Sequence, residues 1–510
     1  MPPQDLRLGD QEMNGLDKKH CIVLKDGKFD TAGGTSADDL RGIFQALRQT
    51  ENMPVVVHFH GGLVDKQAGI VAANMLSPIY QNAGAYPIFF VWETGWQEVI
   101  EQNLPEIFNE NIFQRILLRV TQFAKGKIDK GIETGQPKSA GDLVVPKDSK
   151  VRAELNNPAD GHEPFADVDP ATLPRGDALT DAERKQFEER LKDDAVFEMV
   201  AADISGSLMP TNASQPASRG ATVRGSTKTL MSPEVVDEFT TGEDGSKGLF
   251  STALLVARCS MVLAKVINRF ARDRDHGFFL TIVEEILRAF YVGNAGRFLW
   301  DSIKQDTIDG FGVAPDCGGS LFLAELASLW KSGNKPPITI VGHSAGAIYA
   351  CRVLQEAQRR GLPEDLHFNF VLIAPACDFE LLAKTLQSAG DRIDGLRIFG
   401  MDDNMERKDE IVPVVYPSSL LYLVSGVIEK EHDCPLAGMA RYYSAPYDDA
   451  EAFPNIDYVR KFALFQKRHA LVWAMSAAGD GFNCDMTSHG GWAGTKATVA
   501  SVVHIIEKGY

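Results

Sequence analysis

Pro336-Pro337-Ile338-Thr339-Ile340-Val341-Gly342-His343-Ser344-Ala345-Gly346-Ala347-Ile348-Tyr349-Ala350 decides how this 510-residue chain is read. A β-branched apolar run, 338–341, enters Gly342-His343-Ser344-Ala345-Gly346, and a helix-forming run, 347–357, leaves it. A strand that turns sharply into a helix through a serine holds that residue in strained backbone geometry. Its hydroxyl is pushed clear of the sheet, above the positive end of the helix. The glycines on either side, Gly342 and Gly346, are needed because a side chain at either place would crowd the turn. The segment therefore predicts an exposed, activatable serine at 344.

Working outward, the same strand–helix alternation recurs. Val55-Val56-Val57-His58-Phe59-His60 reads as a buried strand ending in Gly61-Gly62. Residues 68–82 have helical periodicity, and 86–93 form a second buried strand. Strand, helix and strand at this spacing imply a parallel sheet. Upstream, residues 21–28 read as a strand running into an Asp26-Gly27 turn, and Ser36 caps a helix to about residue 48. The pattern resumes after residue 305 with a helix at 320–331 and the serine strand and helix. A strand at 367–374, a helix at 380–388, a strand at 396–399 and a terminal helix at 495–507 follow. The fold class is α/β: a mostly parallel sheet with helices on both faces, built from residues 1–94 and 305–510. Residues 95–304 are an insertion. It holds an amphipathic helix (107–130), a charged helix (181–203) and two apolar helices (249–271 and 278–288). Polar stretches at about 135–180 and 205–248 read as mobile or loosely packed. No internal repeat is apparent.

Composition narrows the partners. Net charge is −17, which argues against duplex nucleic acid or an anionic membrane, since both need a basic face. No apolar run is long enough to span a bilayer. The seven cysteines show no Cys-x-x-Cys pair, which suggests free thiols in a reducing compartment. With a polar N-terminal stretch lacking an apolar signal core, the expected location is cytoplasmic.

A serine hydroxyl attacks only when a base within hydrogen-bond reach takes its proton. His489, in Thr487-Ser488-His489-Gly490-Gly491-Trp492 before the terminal helix, fits that place. His432, His469 and His504 are its rivals. A third group must orient the imidazole. The run 396–401 ends in Asp402-Asp403, and Asp403 is the first choice, with Asp402 as the alternative and Asp409 and Asp378 in reserve. His60-Gly61-Gly62-Leu63 ends an earlier strand where oxyanion donors belong. The N–H groups of Gly62 or Leu63, with that of Ala345, are assigned to the developing negative oxygen. His58 and His60 alternate onto one strand face, but Asp65 is the single nearby acid and no third histidine stands at ligand spacing. They read as structural, and neither a metal nor a cofactor is expected.

The order of these pieces resembles the α/β-hydrolase superfamily over about residues 20–100 and 305–510. The G-x-S-x-G motif, the H-G-G segment and the Ser, Asp, His order carry the resemblance. It implies a serine hydrolase, carboxylesterase-like or lipase-like, with a small-molecule or lipid ester as substrate. A peptidase, thioesterase or acyltransferase on the same groups, or a non-catalytic interaction protein of the same fold, is the alternative. It also implies that the helices between 249 and 300 form a cap lining the pocket. Read from the residues alone, Phe278, Phe279, Phe290, Tyr291, Phe298 and Trp300 pack those helices onto the core instead. Glu284, Glu285 and Lys304 read as surface or cap salt bridges.

Overall fold

The computed structural model describes residues 15–61, 66–92, 97–134, 143–159, 162–197, 199, 230–240, 252–447, 449–466 and 470–510. Its centre is an eight-stranded sheet. The strands are β1 (Cys21–Lys25), β2 (Lys28–Phe29), β3 (Val55–Phe59), β4 (Tyr86–Trp92), β5 (Ile338–His343), β6 (Phe368–Ile373), β7 (Ile393–Met401) and β8 (Leu471–Ala474), in the order β2-β1-β4-β3-β5-β6-β7-β8. Every pairing is parallel except the β1–β2 hairpin. That hairpin closes through Asp26 and Gly27, both at positive φ. The inner strands are apolar along their length because helices cover both faces, so neither side of the sheet meets water.

From β3 the chain steps to β4, which lies between β3 and the earlier β1, then returns to lay β5 on the other side of β3. Strand order reverses there, and in an open parallel sheet the crevice beyond the strand ends at such a point is where ligands bind. Both Gly61 and Ser344 follow the carboxyl ends of the two strands that flank the reversal.

The helices packed on the sheet lie close to the expected positions: Ala37–Leu47, Lys66–Asn82, Gly318–Lys331, Gly346–Arg359, Phe379–Ala389 and Lys496–Lys508. Ser36 and Asp39 form a reciprocal cap on the first of these. In the insertion, the expected helix at 107–130 is two helices, Gln97–Asn109 and Asn111–Thr134. The charged helix runs over Asp181–Lys192. The apolar pair spans Thr252–Phe270 and Phe278–Phe290. The polar stretch at 135–180 is not loose throughout: it holds a helix, Asp148–Asn156, and buries Val151, Leu155, Phe165 and Leu173. Of the second stretch, 205–229 and 241–248 lie outside the described residues.

The expected cap salt bridges of Glu284 and Glu285 do form, in the interior and not at the surface. Glu284 and Glu285 are fully buried, not surface groups. Arg269 is paired with both, at 2.8 and 3.1 Å. His276 stands between Glu284 and Asp433, 2.7 Å from each. Tyr416 donates to Glu284 at 2.8 Å, and Tyr442 donates to Asp433. His432 bonds Glu285. Arg288 donates to the carbonyls of Gly426, Glu429 and Lys430. This network ties the insertion helices to residues 416–442. Phe278, Phe279, Phe290, Tyr291 and Trp300 are likewise buried, while the side chain of Phe298 lies outside those described. Lys304 does form an ion pair, with Glu429. All seven cysteines are free and buried. Among the described residues no helix is long and apolar enough to cross a membrane.

Candidate active site

The turn at residue 344 has the strained geometry that its sequence demands. Ser344 has φ of +51°, the left-handed region that non-glycine residues adopt at a cost. It is held there by its backbone. Its N–H donates to the carbonyl of Ile373 at 3.0 Å, and its carbonyl accepts from Ala376 at 3.0 Å and Ala347 at 3.1 Å. The flanking glycines are required by space. A Cβ on Gly342 would lie 2.8 Å from Cα of Ala347. One on Gly346 would lie 2.2 Å from the carbonyl oxygen of Phe59.

His489 reaches this serine. Its Nε2 is 2.9 Å from Ser344 Oγ, and both side chains are buried. The loop that carries His489 is fixed at its main chain from two sides. The His489 N–H donates to Asp409 Oδ2 at 2.7 Å. The His489 carbonyl accepts from His343 Nε2 at 3.1 Å. Downstream, Asp485 accepts the N–H groups of Ala497 and Thr498, which anchors the loop to the terminal helix.

The electrostatics keep the imidazole a free base. Burial, then the neighbouring His343, lowers His489 from 6.5 to about 3. Burial lowers His343 to about 4. A neutral His489 that accepts the serine proton on Nε2 carries its own proton on Nδ1. That Nδ1 is buried with no hydrogen-bond partner.

Neither of the two acids first expected to orient His489 does so. Asp403 accepts from the Tyr422 hydroxyl at 2.6 Å. It lines a separate polar cavity with Arg407 and Arg441. Asp402 caps the short helix Asp403–Glu406 through the Met405 N–H. Both are consumed by the turn that ends β7. Asp378, a reserve, caps the helix Phe379–Ala389. Among the described residues Asp409 is the one carboxylate hydrogen-bonded to His489. Burial raises its pKa, and the His489 N–H opposes that rise. It sits in a group of acids. Glu406 is fully buried beside it and is pushed well above the usual carboxylate range, by burial above all.

Gly62 and Leu63, with Asp65, lie outside the described residues. The strand end before them is nonetheless against the nucleophile: a Cβ on Gly61 would lie 2.9 Å from His343 Nδ1 and 3.3 Å from Ser344 Cβ. Ala345 is buried and opens the helix Gly346–Arg359. His60 accepts from the Trp92 N–H at 3.0 Å. His58 bonds the Tyr80 hydroxyl at 3.1 Å and stacks on Trp492. Both are therefore committed to packing. The described residues hold no group of three His, Cys, Asp or Glu suited to a metal ion. Of the rival bases, His432 is bonded to Glu285 and His504 lies within the terminal helix. His469 is outside the described residues.

No family model, curated protein or solved structure matches the chain.

Proposed function

We propose that the chain is a serine hydrolase of carboxylic esters, built as the α/β-hydrolase resemblance implies. The observation that carries this is a serine at φ of +51° with an imidazole nitrogen 2.9 Å from its hydroxyl oxygen. A packing histidine would not need the strained turn, and a structural serine would not need a base. Ser344 attacks the ester carbonyl as His489 Nε2 takes its proton. The tetrahedral oxygen turns toward the start of the helix Gly346–Arg359, where the Ala345 N–H supplies a donor. His489 then protonates the departing alcohol. Water, activated by the same ring, releases the acid from Ser344.

Asp409 is the positioning acid in this scheme. It grips the main chain of His489 and so holds the loop that presents Nε2 to Ser344. Pre-steady-state hydrolysis of p-nitrophenyl butanoate tests the reading. The expected result is a p-nitrophenol burst of one equivalent per chain, abolished in Ser344→Ala. Equal turnover by wild type and Ser344→Ala would refute it.

A further inference from the structure

The helix Lys66–Asn82 is apolar on two faces. Gly69, Ile70, Ala73, Leu76 and Tyr80 are buried in the core. Ala68, Val71, Ala72 and Met75 recur at helical spacing on a second stripe. That stripe is incompletely buried and faces a cavity of about 520 Å³. Trp492 and Ala493 form its other wall. The two alanines leave the room, since larger side chains there would fill it.

Ser344 and His489 do not line this cavity, but residues adjoining them do. Gly61, His343 and Gly490 line it. His343 immediately precedes the nucleophile, Gly490 immediately follows the base, and Gly61 backs onto Ser344. None of the described lining residues comes from 95–304. None is Asp, Glu, Lys or Arg. The rings that line it are held neutral: burial lowers His60 and His343 to about 4, and His58 also falls well below its ordinary value. An uncharged, apolar cavity of this size is suited to hydrocarbon.

We propose that this cavity binds the hydrocarbon chain of the ester, so that Ala68, Ala72 and Met75 set the chain length accepted. This rests on Ser344 being the nucleophile. Each methylene moved from water into such a cavity is worth roughly fourfold in kcat/KM. Two substrate series read the effect and its source: p-nitrophenyl alkanoates from acetate to dodecanoate vary the acyl chain, and alkyl acetates vary the alcohol. In one of the two, kcat/KM is expected to climb with chain length and then level off when the cavity is full. Ala72→Trp fills the cavity. Loss of room for about three methylenes lowers the octanoate-to-acetate or octyl-to-methyl ratio roughly 60-fold. Met75→Ala shifts the plateau to longer chains and provides the test should Ala72→Trp fail to fold.

A fluorophosphonate with a short alkyl group separates the two ways this can fail. If folded wild-type protein leaves Ser344 unlabelled, the hydrolase reading falls and this inference with it. If Ser344 is labelled but both series are flat, or Met75→Ala leaves the profile unchanged, the hydrolase reading stands and this inference is overturned.

Discussion

Gly346→Ala is the substitution on which the geometry speaks most sharply. The added Cβ would sit 2.2 Å from the carbonyl oxygen of Phe59 and 2.6 Å from that of His60. Cβ contacts under 3.0 Å essentially never occur, and both opposing atoms are backbone. They belong to the end of β3, which is paired on one side with β4 and on the other with β5. The strand cannot yield, so the helix start must retreat by about 1 Å, carrying Ser344 and the Ala345 N–H with it. Misplacing a reacting group by that distance costs on the order of 100-fold in rate. Overpacking of this kind also destabilises by about 1–3 kcal/mol. Gly494→Ala is the matched control, because a Cβ there meets nothing within 4 Å and the residue does not line the cavity beside the serine. The assay is kcat/KM on p-nitrophenyl butanoate with urea unfolding of both variants. If Gly346→Ala keeps activity within about threefold of wild type and its urea midpoint is unmoved, the argument from backbone crowding is wrong.

Other perturbations separate the remaining claims. Asp409→Ala removes the acceptor of the His489 N–H and should lower kcat by about 10²–10⁴ with little change in KM, whereas Asp403→Ala should change it less than about tenfold. The reverse ranking in steady-state kinetics would restore Asp403. His276→Ala strips the cation from between Glu284 and Asp433 and should destabilise by about 3–5 kcal/mol; an unchanged unfolding midpoint would contradict the burial of that network. Acid should weaken the fold through His60, His343 and His489. Above pH 6.5 neither the folded nor the unfolded chain protonates these rings. Between 6.5 and the folded values of about 4, 4 and 3, only the unfolded chain does. Stability is thus fully present above 6.5 and falls as pH drops, by roughly 2 kcal/mol per ring at pH 5. Urea midpoints that do not fall between pH 7.5 and 5 would count against it.

The sheet was readable because its strands are short apolar runs with turn residues at their ends. The runs at 55–60, 86–93 and 338–341 could be read with no knowledge of what they pair with. His489 was readable from position, as a histidine followed by two glycines just before the last helix. The acid was not, because Asp402, Asp403 and Asp409 follow one strand within eight residues. Nothing in a linear sequence says which carboxylate a helix cap or a tyrosine will consume. The burial of Glu284 and Glu285 was hidden for a related reason. A carboxylate survives in the core only with partners, and theirs come from Arg269, His276, Tyr416 and His432, up to about 150 residues away. The second apolar stripe of the helix Lys66–Asn82 carries its own spacing in the sequence, but its meaning depends on Trp492 closing the opposite side.

The most direct measurement is mass mapping of a fluorophosphonate adduct on the folded protein. The account predicts one adduct per chain, on Ser344, absent from Ser344→Ala and formed at least about a thousandfold more slowly in His489→Ala. No adduct on folded wild-type protein, or one that persists in Ser344→Ala, would contradict it.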